Sequence, residues 1–206
     1  MGDATGLPSD GRQRYPVVQK PIKPDLDLRD MLRQHIVTRA LAYRSNALGD
    51  PLLAMRVRDG LATLAFTAQW AGLGGAPVVL TGAGLGALVA LHVAALSDAV
   101  LPAGVAGVVL WDGLASWRAL LEAKSYPWPA DAFVPGVLKH YDLPELVSAL
   151  RCPVRVLNPR DGAGDLLDAT ALARLNRDAG ERVYAAAGER VGAEAIGRAL
   201  DEVLDA

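Results

Sequence analysis

The sequence predicts an α/β fold, a parallel sheet flanked by helices. Three observations predict it. An apolar run, Val78, Val79, Leu80 and Thr81, meets glycines at alternate positions, Gly82, Gly84 and Gly86, and passes directly into an Ala/Leu/Val stretch ending at Leu96. That is the pattern of a buried parallel strand turning sharply into a buried helix. Three further strand-like runs, over residues 105–111, 153–157 and 182–186, are each followed by a segment of helical period. The regular succession of strand and helix argues for parallel strands with helices on the sheet faces.

Composition bounds the rest. With 206 residues, 51% of them apolar, and a formal net charge of −2, the chain suffices for one well-buried domain with a tail. We read residues 1–25 as a loosely ordered N-terminal arm and residues 26–206 as the domain. Nothing in the charge points to nucleic acid. The single cysteine, Cys152, precludes an intramolecular disulfide and a multi-cysteine metal site, which fits a reducing, cytoplasmic setting. No metal site and no cofactor is expected. Residues 61–97 carry no Asp, Glu, Lys or Arg, yet they lack flanking Lys or Arg, contain His92 and open on a β-branched run, so no membrane span is expected.

In chain order, the arm offers only residues 15–18 as a short strand. Over residues 26–48 the apolar positions Leu28, Leu32, Ile36, Val37 and Leu41 form a helical stripe expected to face the body, with Arg29, Arg33, Arg39 and Arg44 on a solvated face. Asp50-Pro51 opens a second helix, an N-cap followed by proline, running to about Trp70. After the central strand, turn and helix come the strand 105–111, a helix over 115–123 and a Pro- and aromatic-rich excursion over 124–137. Pro144 starts a short helix ending near Leu150. Strand 153–157, a helix over 166–178, strand 182–186 and an amphipathic helix over 192–204 finish the chain.

Two kinds of site use a glycine-rich strand-to-helix turn. A dinucleotide loop matches Gly82-x-Gly84-x-x-Ala87, with Asp112 ending the next strand where a ribose-binding acid can stand. A nucleophile elbow wants G-x-S-x-G, and residues 82–86 read Gly-Ala-Gly-Leu-Gly, with glycine in place of the serine. The candidate ligand-binding residues are therefore Gly82, Gly84, Gly86 and Asp112, joined by His140 and its neighbour Tyr141 beside the excursion. His92, inside the apolar helix, reads as a satisfied core histidine, and Trp111, Trp117, Trp128 and Phe133 read as packing.

The order of elements resembles the C-terminal half of an α/β-hydrolase, more narrowly the acetyl xylan esterase and dienelactone hydrolase-like group. The residues carrying the resemblance are LGDPLLAMRVRD over 48–59, the glycines at 82–86, Val109-Leu110-Trp111-Asp112-Gly113, FVPGVLKHYDLPEL over 133–146 and Leu157-Asn158-Pro159-Arg160-Asp161. The resemblance implies a serine at the turn, an acid after the third strand counted from that of the turn and a histidine after the fourth. Here those positions hold Gly84, Asp161 and Glu189. Nucleophile and base are both missing, so the resemblance implies a truncated, catalytically degenerate scaffold rather than an esterase.

Residues 1–60 offer too few strands to complete such a sheet, which leaves residues 78–81 as an apolar edge. An edge of that kind is normally paired or covered, here either by a strand added from the arm or by another chain. The expected role is a structural or interaction subunit, with another protein chain or a second copy as partner. A non-standard esterase and a nucleotide-binding protein are the alternatives.

Overall fold

The computed structural model describes residues 28–69, 76–101, 103–125, 127–179, 183–188 and 190–206. The expected arm, including residues 15–18, lies outside them, as does Glu189. Contacts divide the chain between His35 and Ile36; the first unit is described only as the opening turns of α1 (Leu28–Ala47), and the sheet with its helices belongs to the second.

Four strands, β1 (Val79–Ala83), β2 (Gly107–Trp111), β3 (Val154–Leu157) and β4 (Tyr184–Ala185), form one sheet in the order β1-β2-β3-β4. Every pairing is parallel, with Val79 beside Gly107, Val108 beside Val154 and Val156 beside Tyr184. The α/β expectation is met. The strand regions are those read from the sequence with shifted ends: β1 starts one residue later and runs on through Gly82 to Ala83, and β2, β3 and β4 are shorter than expected.

Side chains alternate across the pleat. On one face Leu80, Val108, Leu110, Val154, Val156 and Tyr184 meet the main core. It is covered by α3 (Leu85–Leu96), flanked by α2 (Leu52–Gln69) and α5 (Leu143–Ser148), with α6 (Ala169–Ala179) beyond α5. On the other face Val109 and Leu157 pack beneath Ala199 and Val203 of α7 (Ala193–Leu204). Val108 and Val109, both fully buried, sit at the centre. Each such side chain contributes about 1.5–3 kcal/mol by leaving water. Among the described residues no helix is long and apolar enough to cross a membrane.

The expectation for α1 needs correction. From Ile36 onward its apolar stripe points outward: Ile36, Val37, Leu41 and Leu48 just beyond are 66%, 52%, 50% and 83% exposed. The side facing the body is small, with Ala42 fully buried and Ser45 nearly so, the serine hydroxyl donating to the Ala42 carbonyl. Helical period fixes that a stripe exists. Which face docks is decided by close approach, and here small residues permit it.

The excursion over 124–137 follows α4 (Trp117–Glu122) and is pinned at several points. The Trp117 indole donates to the Ala132 carbonyl, the Trp128 indole to that of Asp161, and the Asn46 amide to that of Phe133. Asp131 is buried, and Nη2 of Arg56 lies 2.8 Å from its Oδ2, an ion pair without hydrogen-bond alignment.

Candidate functional site

Parallel α/β sheets place their sites at the carboxyl ends of the strands. In this chain every strand leaves that edge through a positive φ. Gly84 follows β1 at φ 53, Asp112 follows β2 at φ 50, Asn158 follows β3 at φ 51, and Gly188 stands three residues past β4 at φ 86. For Asp112 and Asn158 the conformation is unusual and strained by roughly a kcal/mol, so something must hold it.

For Asp112 the holder is Arg160, whose Nε and Nη2 donate to Oδ1 at 3.0 and 2.7 Å while Nη1 donates to the Gly164 carbonyl. Asn158 is buried and acts as a bracket: its Nδ2 donates to the Gly188 carbonyl at 2.8 Å and its Oδ1 accepts from the Ala187 N–H at 2.7 Å. The ends of β2, β3 and β4 are thereby stitched together by side chains of opposite polarity to the groups they meet.

The turn itself is sharp. Gly84 adopts φ 53, ψ −119, its N–H donates to the Trp111 carbonyl, and its own carbonyl accepts from Ala87 as α3 begins. A β carbon on Gly82 would stand 2.3 Å from the Gly86 carbonyl oxygen, which is why strand and helix can lie this close. A β carbon on Gly84 would meet no atom within 4 Å among the described residues. The position is open and carries only hydrogen.

The sequence-derived candidates divide. Gly82, Gly84 and Gly86 lie at the turn, and Asp112 follows Trp111, whose carbonyl binds Gly84; the Asp112 carboxylate is engaged by Arg160. His140 is exposed, and no described hydrogen bond or ring contact joins it to the turn. Tyr141 turns inward instead of lining a cleft. Asp161 uses Oδ1 to accept from the N–H groups of Ala163 and Asp165, both at 2.9 Å, closing its own loop. The void beneath the turn, lined by Ala87, Gly113, Leu114, Leu143 and Tyr184, measures about 20 Å³. That holds a water at most.

His92 is a satisfied core residue, as expected. Its Nδ1–H donates to the Leu88 carbonyl at 2.6 Å, so the neutral ring presents Nε2 as the acceptor of the Tyr141 hydroxyl at 2.9 Å. Trp117 packs against both, tilted to the His92 ring and edge-on to that of Tyr141, ring centres 5.6 and 5.7 Å away. Burial pushes the His92 pKa below its ordinary value and that of Tyr141 above. With both ring nitrogens committed, His92 offers no free base. Cys152 is half-buried, and desolvation raises its thiol pKa, away from reactivity.

Two residues of consequence escaped the sequence reading. Asn158 gave no signal beyond a turn. Asp142 did: Asp142-Leu-Pro-Glu145 is a capping-box spacing, and both halves of the box are formed at the start of α5. The same carboxylate also accepts from the Trp117 N–H at 2.7 Å and from the Ser116 hydroxyl at the start of α4.

Among the described residues no group of three His, Cys, Asp or Glu side chains is placed to hold a metal ion. No protein-family model matches the chain, and no curated protein or solved structure matches it either.

Proposed function

We propose that this chain is a catalytically degenerate scaffold of α/β-hydrolase type that works as a structural or interaction subunit. The observation that carries the reading is the Gly84 corner. It has the strained positive-φ turn on which an elbow nucleophile would stand, with open space above it and no side chain to attack a carbonyl. Asp161, in the position of the acid, spends its carboxylate on backbone N–H groups of its own loop. His92 lies inside the core, bonded at both nitrogens.

Exposed surface supports the interaction half of the reading. The apolar stripe of α1 and the outer edge of β1 are the kind of surface that partners cover. A cytoplasmic setting suits the lone, unreactive Cys152. The test is hydrolysis of p-nitrophenyl acetate by the purified full chain. Release of p-nitrophenol at the buffer rate supports the reading, and enzymatic turnover that disappears in Asp161→Asn overturns it.

A further inference from the structure

We propose that the outer edge of β1 pairs antiparallel with the same edge of a second copy, joining two four-stranded sheets into one. The proposal rests on the interaction reading above and names its partner.

The sheet has two edges of unequal quality. β4 spans two residues, too short to template another strand, whereas β1 spans five. Flanking β1, the Val78 carbonyl accepts from Ala106 just before β2 and the Gly84 N–H donates to Trp111 of β2, so by the alternation of a parallel ladder the main-chain groups of Val79, Thr81 and Ala83 point away from β2. Among the described strands none pairs with that side. Thr81 and Ala83 are exposed and Val79 half-exposed. On the second face α7 lies over β2 and β3 and Val79 packs at the margin of its cluster, while among the described residues Thr81 and Ala83 are left exposed.

The occupant follows from charge, size and symmetry. Exposed edges are usually protected by lysine or another charge, yet none of residues 61–97 is charged. Two such edges meet without repulsion. A two-fold axis through Thr81 sets Thr81 against its own copy and Val79 against Ala83, small and β-branched side chains that fit a cross-strand pair. Because the main-chain groups of these three residues face outward, the register supplies about six N–H to C=O bonds. With the β4 edge blunt, the association closes at two copies and does not propagate.

The test uses the full chain. Sedimentation or light scattering across the micromolar range is expected to show a concentration-dependent dimer, and Thr81→Lys, which places like charges opposite each other, is expected to weaken it about tenfold or more. Circular dichroism of Thr81→Lys checks that the exposed substitution leaves the fold intact. In a Cys152→Ser background, Thr81→Cys is expected to form an intermolecular disulfide on mild oxidation, since a hydrogen-bonded pair sets its Cα atoms about 5.5 Å apart. Ala83→Cys, displaced from the axis, is expected to cross-link about tenfold more slowly. A wild-type monomer at every concentration, a Thr81→Lys dimer of undiminished strength, or equal cross-linking at 81 and 83 overturns the proposal. A monomer without esterase activity removes this edge pairing and leaves the inactive-corner reading standing; esterase turnover by a dimer does the reverse.

Discussion

The hydroxyl of Tyr141 donates to Nε2 of His92 across 2.9 Å, which fixes His92 as the neutral Nδ1–H tautomer inside the core. Since burial lowers the folded pKa below the ordinary 6.5, the unfolded chain takes up the proton more readily. The stability contributed by neutral His92 is complete above pH 6.5 and drains away as the pH falls from there toward the folded pKa. The slope from this one proton has an upper limit of about 1.4 kcal/mol per pH unit. Urea denaturation between about pH 5.5 and pH 7.5, roughly one unit either side of 6.5, is expected to show a steeper loss on acidification in wild type than in His92→Phe. Tyr141→Phe is expected to cost about 1 kcal/mol at neutral pH by stranding Nε2.

Asp142 ties two helices with one carboxylate. It caps α5 and reaches the first N–H of α4, so truncation strands several buried donors at once. Asp142→Ala is expected to cost about 3 kcal/mol, more than the ~1 kcal/mol of an ordinary N-cap. Asp142→Asn, which keeps one acceptor oxygen, is expected to lose about half of that. Chemical denaturation of the two variants measures the difference.

The two glycines of the turn are constrained for different reasons. At Gly82 a β carbon collides with the Gly86 carbonyl, so Gly82→Ala is expected to cost about 3 kcal/mol or more. At Gly84 the space is open and the penalty is conformational, so Gly84→Ala is expected to cost about 1–2 kcal/mol. Thermal unfolding ranks them. Equal losses would mean that the turn is not built as described.

The outward stripe of α1 gives an inverted mutational pattern. Leu41→Glu is expected to change monomer stability by less than about 0.5 kcal/mol while raising solubility. Ala42→Leu, on the docked side, is expected to cost about 1–3 kcal/mol by overpacking. Were Leu41→Glu the more damaging, the helix would dock by its other face.

Much of this arrangement was legible in the sequence for a simple reason: strand runs, glycine spacing and helical period are local patterns, and β1 through α7 follow them. The edge position of β1 followed from counting strands. The orientation of α1 was not legible, because period does not say whether a broad apolar side or a small one such as Ala42 and Ser45 is pressed against the body. Long-range bonds were also hidden. Asp112 with Arg160, Asn158 with Gly188 and Trp128 with Asp161 join residues that no local spacing connects. The Asp142 capping box was readable and its second helix was not.

The corner at Gly84 decides whether the scaffold is inert. Initial rates of p-nitrophenyl acetate hydrolysis by the wild-type chain, compared with buffer and with Asp161→Asn, test this most directly. Rates equal in all three are expected. Turnover above buffer that is lost in Asp161→Asn would contradict the account.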